Sequence, residues 1–142
     1  FDRPLTEQGR LGIKRFGIKL AELEPELASN KIILLSSPSK RTKETTQLLL
    51  SGLDNLNISV NYIEDGYLAH PGIWIKRIEK LPSETPTCIV IGHNPGISDL
   101  ITILSGSLIT MTPGACVAME LLINDWNEVF EGTGNVLSTY RP

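Results

Sequence analysis

The sequence predicts an α/β domain whose mostly parallel sheet is flanked by helices in three layers. Three observations carry that expectation. Residues 31–35 and 88–91 are short, continuous apolar runs, as expected of strands buried on both faces. Other segments place apolar residues three and four apart, the pattern of amphipathic helices. The two patterns alternate along most of the chain, as in folds that join parallel strands through crossover helices.

Taken in order, Ile13, Phe16, Leu20, Leu23 and Leu27 recur at helical spacing. Thr6 is the expected N-cap, Glu7 stands in the positive first turn and Pro25 near the end. Gly9, Gly12 and Gly17 each weaken that helix by about 1 kcal/mol against Ala. Close packing against a neighbour is the expected reason for them. Residues 31–35 form the first buried strand, and Ser36-Ser37-Pro38-Ser39 breaks it. Residues 40–50 read as a helix ended by Gly52. Residues 58–63 alternate in polarity, as a half-buried strand does. A helix over 71–81 starts at Pro71 and holds Ile73, Ile75, Ile78 and Leu81. The second buried strand, 88–91, precedes a helix over 96–104 that Gly106 stops. Strands follow at 115–123 and 136–140, with a turn at Asn124-Asp125 between them. No helix separates these last two, so they are expected to pair antiparallel at one edge of the sheet.

The chain has 142 residues with 41% hydrophobic and 20% charged content, which suits one globular domain. Its net charge of −3 and pI near 5.4 argue against a nucleic-acid binder, whose surface is basic. No apolar run approaches the ~20 residues of a membrane span. Cys88 and Cys116 lie inside apolar runs, without a C-x-x-C pair or clustered His. They read as free thiols of an intracellular protein, with no metal site, and the cytoplasm is the expected compartment.

In open α/β sheets, ligands bind beyond the carboxyl ends of the strands. Two such ends stand out. One is Ser36-Ser37-Pro38-Ser39-Lys40-Arg41-Thr42-Lys43-Glu44-Thr45, the other Ile91-Gly92-His93-Asn94-Pro95-Gly96. Each sets a cationic or protonatable side chain beside a helix start, where free N–H groups favour anions. Arg41 offers a planar fork for phosphate oxygens, or is a solvated helix-face residue paired with Glu44. His93 can donate to an anion or exchange protons, or is a structural loop residue. Neither segment is a nucleotide-binding glycine motif.

Asp2-Arg3-Pro4-Leu5-Thr6-Glu7-Gln8-Gly9, Ser36-Ser37-Pro38 with Arg41 and Glu44-Thr45, and Gly92-His93-Asn94-Pro95-Gly96 together resemble the histidine phosphatase superfamily. The resemblance is closest to its small SixA-type phosphohistidine phosphatases. Met111-Thr112-Pro113-Gly114-Ala115 and the closing Tyr140-Arg141-Pro142 are similar to that group as well. The likeness spans nearly the whole chain, and the length leaves no room for the helical lid of larger relatives. It implies a phosphoglycerate mutase-like fold and phosphoryl transfer through a phosphorylated histidine, with no cofactor or required metal. Arg41 matches the second phosphate-clamping Arg, and His93 the second active-site His, a phosphate ligand and electrostatic stabiliser.

The resemblance also implies an Arg-His pair, with the nucleophilic His, at the end of a first strand. That strand would precede the Asp2–Thr6 segment. The sequence begins at Phe1, and its other His, His70 in Ala69-His70-Pro71-Gly72, does not match the motif. The nucleophile and its strand are therefore expected upstream of Phe1, in a slightly longer domain; a degenerate relative is the alternative. Glu64 and Asp65 stand roughly where larger relatives carry a leaving-group acid, and are otherwise solvated loop carboxylates. His70 is a surface-loop residue or a contact on the substrate rim. Arg3 extends a positive rim or pairs with Asp2. Trp74 and Trp126 read as packing residues. The implied partner is a phosphorylated protein of the histidine phosphotransfer type. A small-molecule phosphomonoesterase and a non-catalytic phosphate-binding relative are the rival readings. The sequence leaves the oligomeric state open, with a monomer compatible.

Overall fold

Hydroxyl and imidazole caps start three helices. Gly9 N–H donates to Thr6 Oγ1 at 3.1 Å, Thr42 N–H to Ser39 Oγ at 3.3 Å, and Gly72 N–H to His70 Nδ1 at 3.1 Å. These begin α1 (Glu7–Leu23), α2 (Lys40–Gly52) and α3 (Pro71–Glu79) in a computed structural model that describes residues 5–23, 31–53 and 56–141. The remaining elements are α4 (Gly96–Ser105) and strands β1 (Lys31–Ser36), β2 (Asn57–Tyr62), β3 (Thr87–Ile91), β4 (Cys116–Leu121) and β5 (Gly134–Tyr140). Single 3₁₀ turns lie at Glu64–Gly66 and Trp126–Glu128. The α/β class expected from the sequence is the one found.

The described residues group into two compact units. The first runs to Tyr67 and takes in Thr85–Ile91; the second holds Leu68–Glu84 and the described residues from Gly92 onward.

In the first unit β1 is the central strand of a parallel sheet ordered β2-β1-β3. Ile32 pairs with Ile58 and Leu34 with Val60 on one side; Ile33 pairs with Cys88 and Leu35 with Val90 on the other. Ile32 and Leu34 are fully buried and share a core with Leu20 of α1 and with Leu49 and Leu53 at the end of α2. Each such side chain contributes roughly 1.5–3 kcal/mol by leaving water. Phe16, Ile58, Val60, Ile89 and Ile91 close around them. The expected helix-capping role of Gly52 is corrected here. Gly52 is the last residue of α2 and Leu53 is its C-cap. What Gly52 supplies is room: a Cβ there would lie 2.7 Å from Ile18 N, and one on Gly17 would lie 2.8 Å from Leu49 O. The two glycines let the α1 and α2 backbones touch. Leu27 and Pro25, the expected end of α1, lie outside the described residues.

In the second unit Trp74 of α3 is fully buried, and Ile78, Leu100, Ile101, Leu104 and Val129 are buried as well. α3 stops at Glu79, two residues before the expected end, because Leu81 precedes Pro82 and is sterically pushed out of the helical region. α4 ends as expected on Gly106, at φ 74°, whose N–H donates to Thr102 O. β4 and β5 pair antiparallel with a bulge at Ala118/Met119. The expectation that they extend the parallel sheet is corrected: among the described residues they form a two-stranded sheet of their own. A turn between neighbouring strands dictates their pairing, but not the sheet to which the hairpin belongs.

Both cysteines are free. Burial pushes the Cys88 thiol up to about 12 and the Cys116 thiol up to about 11, from an ordinary 9.0. Unfolded, both would ionise near 9, whereas folded they stay neutral. Their contribution to stability is therefore complete below pH 9 and is lost as pH rises toward 11–12. Urea midpoints measured from pH 7 to 10.5 should fall above pH 9, and a Cys88→Ala/Cys116→Ala variant should show a shallower fall.

Helix propensity and packing predict opposite signs for Gly→Ala changes. Gly12→Ala, where a Cβ meets nothing within 4 Å, should stabilise by about 1 kcal/mol. Gly17→Ala and Gly52→Ala should instead destabilise by about 1–3 kcal/mol as the two backbones are forced apart. Denaturant unfolding of the three variants measures both signs.

Candidate functional site

β1 does not end in an open loop. Ser36, Ser37 and Ser39 are at most 1% exposed, and buried hydroxyls need partners. Thr46 Oγ1 donates to Ser36 Oγ at 3.1 Å, and Ser36 Oγ donates to Ser37 O at 2.9 Å. Thr42 Oγ1 lies 2.6 Å from Ser37 O, 3.0 Å from Ser39 O and 2.8 Å from Ser39 Oγ. The main chain adds two ties, with Ile63 N–H donating to Ser36 O at 2.8 Å and Ser37 N–H to Ile91 O at 3.0 Å. The start of α2 is thereby fastened to the carboxyl ends of all three parallel strands. The sequence signal for this lock is the Ser-rich break followed by Thr42 and Thr46 one turn apart. Read as sequence, the segment marks a strand break and a candidate ligand site but not a hydrogen-bond lock.

The lock fixes Arg41 in the first turn of α2, between Lys40 and Lys43 and without an acidic residue in that turn. Cations at the positive end of a helix are unfavourable among themselves and favour an incoming anion. Arg41 is exposed. The expected alternative, a pair with Glu44, is corrected: Glu44 Oε2 lies 2.6 Å from Arg10 Nη2 of α1. Glu44 is one helical turn from Arg41, but its carboxylate is half-sunk toward α1, where Arg10 reaches it. Among the described residues Arg41 carries no ion pair. Lys43 Nζ sits 5.4 Å from the centre of the Tyr62 ring, a cation–π contact that sequence reading missed.

The chain leaves β3 at Ile91, the register partner of Ser36. Within the second unit, His93 is half-buried, and its carbonyl accepts from Ile97 N–H at 3.0 Å. Gly92 has no room for a side chain, since a Cβ would meet Ile97 at 2.8 Å and the Trp74 ring at 2.9 Å. Gly96 opens α4 with the Ala69 carbonyl against it. Asn94 Nδ2 donates to Met111 O at 2.7 Å, and Asn94 Oδ1 accepts from Ser98 Oγ at 2.6 Å and from Ser98 N–H at 3.3 Å. Met111 N–H donates to Ser98 Oγ at 2.9 Å.

The other named residues fall as follows. His70 is exposed and caps α3 through Nδ1, a structural duty that fixes the acceptor nitrogen. Glu64 and Asp65 are exposed in the 3₁₀ turn after β2. Arg3 lies outside the described residues, as do Asp2, Pro4 and Pro142. Thr112 to Ala115 form a turn, with Ala115 N–H donating to Thr112 O and Gly114 at φ 79°. Among the described residues no cluster of three or more His, Cys, Asp or Glu could hold a metal ion. None is a helix long and apolar enough to cross a membrane.

Thr42 is the member of the lock with the most partners. Thr42→Val keeps its shape but leaves the buried Ser37 carbonyl and Ser39 hydroxyl short of a partner. It should cost about 1–3 kcal/mol in urea unfolding.

No family model matches the chain. A protein of Arabidopsis thaliana described as uncharacterised and chloroplastic is 27% identical over 141 residues, covering 94% of this chain. This chain spans 63% of that relative's length. Among solved structures, a chain assigned as phosphohistidine phosphatase SixA of Nakamurella multipartitia superposes with TM-score 0.81 at 17% identity, over 99% of this chain and 86% of that one. The protein histidine phosphatase SixA complexed with tungstate gives 0.75 at 22% identity, over 97% and 83%. A chain assigned as SixA of Agrobacterium tumefaciens gives 0.74 at 17%, over 99% and 85%. With a parallel β2-β1-β3 sheet, α2 starting at its carboxyl edge and these superpositions, the chain has the SixA-type histidine phosphatase fold.

Proposed function

We propose that this protein is a phosphohistidine phosphatase acting on a phosphotransfer or signalling protein. The observation that carries the reading is Arg41. It stands exposed in a first helical turn whose charged residues are all cationic, with its neighbouring carboxylate already taken by Arg10. Such a turn attracts a dianionic phosphoryl group. The solved SixA structure that holds tungstate, a tetrahedral oxyanion, supports the same ligand class.

In this reading a nucleophilic histidine other than His93 attacks phosphorus. The bond from phosphorus to the substrate histidine nitrogen breaks as the new P–N bond forms. Water then attacks the phosphoenzyme, releasing inorganic phosphate and restoring the free imidazole. Arg41 offers two N–H donors to the equatorial oxygens, and His93 holds a further oxygen. Catalysis rests on positioning and on charge placed where it develops. A protonated phosphohistidine is already a good leaving group, so Glu64 or Asp65 need contribute little as an acid. No metal takes part. Protein substrates are favoured because the connections among the described elements carry no inserted helical lid, leaving space for a side chain borne on a folded surface.

The test uses full-length protein. Phosphohistidine protein should be hydrolysed faster than small phosphomonoesters, with EDTA without effect and a trappable phosphoenzyme. Equal or faster hydrolysis of small esters would replace the substrate class, and vanadate binding without turnover would point to a binding module. Arg41→Ala should lower kcat/KM about 10²–10³-fold with its circular dichroism unchanged. Near-normal turnover would remove Arg41 from the clamp.

A further inference from the structure

Asn94, Ser98 and Met111 close a ring of three hydrogen bonds. Asn94 Nδ2–H donates to Met111 O at 2.7 Å, Met111 N–H to Ser98 Oγ at 2.9 Å, and Ser98 Oγ–H to Asn94 Oδ1 at 2.6 Å. Two side chains thus pair both main-chain groups of one residue, as a neighbouring strand would. The orientation of the Asn94 amide is determined, because rotating it would set Oδ1 against the Met111 carbonyl and Nδ2 against the Ser98 N–H. Ser98, at 7% exposure, is buried at the centre of the ring.

The ring sits one residue beyond His93. The preceding residue, Gly92, is wedged against Trp74 and Ile97, and the His93 carbonyl accepts from Ile97 N–H. The backbone is therefore held at positions 92, 93 and 94 by separate contacts. At its far side the ring carries Met111, where the turn from Thr112 to Ala115 begins. We infer that Asn94 is a positioning residue: through Ser98 and Met111 it sets the His93 backbone and hangs the Met111–Ala115 segment from the same helix start. Its Oδ1 and one of its Nδ2 hydrogens are engaged in the ring, and through them it acts on the His93 backbone. This role rests on the phosphatase reading above. A group that stabilises a developing charge must already be in place when the charge appears. Loosening the ring should therefore affect the chemical step more than substrate binding.

The experiment compares full-length wild type with Asn94→Ala, Ser98→Ala, the double variant and Arg41→Ala. It measures phosphohistidine turnover, orthovanadate affinity and thermal unfolding. Asn94→Ala should lower kcat about 10²-fold, the scale of a small misplacement, with KM changed less than threefold. The double variant should be no slower than Asn94→Ala, because both changes break one ring. Vanadate should bind more weakly in each. If Asn94→Ala does not fold, Ser98→Ala, which removes only a hydroxyl, carries the comparison. A folded variant with kcat within twofold of wild type, while Arg41→Ala is impaired, overturns the positioning role alone. Losses that multiply in the double variant overturn it too. A wild-type protein that neither turns over nor binds vanadate overturns the phosphatase reading, and this role with it.

Discussion

The peptide between Ser36 and Ser37 holds three strand ends at once. Its carbonyl accepts from Ile63 as the chain leaves β2, and its N–H donates to Ile91, the last residue of β3. The Ser36 side chain meets Thr46 of α2, and the Ser37 carbonyl meets Thr42. One peptide unit thereby connects β1, β2, β3 and α2 in a place with no access to water. Serine and threonine suit this place because each brings a donor and acceptor on a very short side chain. Larger polar groups would need space that the strand ends do not leave. Apolar groups would leave buried carbonyls under-satisfied, at a cost comparable to several weak contacts.

A lock of this kind changes what the charges beside it can do. An exposed arginine on a free loop loses much side-chain and backbone entropy when it grips an anion. Arg41 stands on a helix whose first turn is already immobilised, so the backbone share of that cost is met during folding. The Arg10–Glu44 pair acts in the same direction. Glu44 could otherwise neutralise the cationic turn one helical turn away, and Arg10 draws its carboxylate toward α1. The pair is half-exposed at its Arg10 end, so its stability value is modest. Its electrostatic effect is to leave Lys40, Arg41 and Lys43 uncompensated.

Much of the fold was legible because periodicity and capping are local. The strands at 31–35 and 88–91, the Thr6 cap, Pro71 at a helix start and Gly106 at a helix end all appear where their chemistry puts them, although 88–91, expected to be buried, is only half-buried along its length. Long-range contacts were less legible. Gly52 looks like a C-cap in sequence because the reason for it, the α1 backbone, lies some thirty-five residues away. Glu44 looks like a partner for Arg41 for the same cause, since Arg10 is distant in the chain. The hairpin of β4 and β5 was readable as a pair, but sheet membership depends on edges that a turn does not specify. Of the site, the charged residues could be named from sequence. The hydroxyls and amides that hold them could not, because Ser, Thr and Asn are common in loops for many reasons.

The two strand ends share a division of labour that follows from the physics of each residue type. At the start of α2 the holding groups are hydroxyls and the chemically competent group is a guanidinium. At the start of α4 the holding groups are an amide, a hydroxyl and two glycines, and the competent group is an imidazole. In both places the small groups satisfy one another or the backbone and so fix the backbone beside the charged or protonatable residue. That separation matters for an anion site. A holding group that also contacted the ligand would lose its structural bonds whenever the ligand left. The Ser36–Ser37 lock and the Asn94–Ser98–Met111 ring are closed by the chain's own groups, so each helix start is fixed without help from a ligand. Preorganisation of this type makes a few charges sufficient, because little reorganisation is left to be done when the transition state forms.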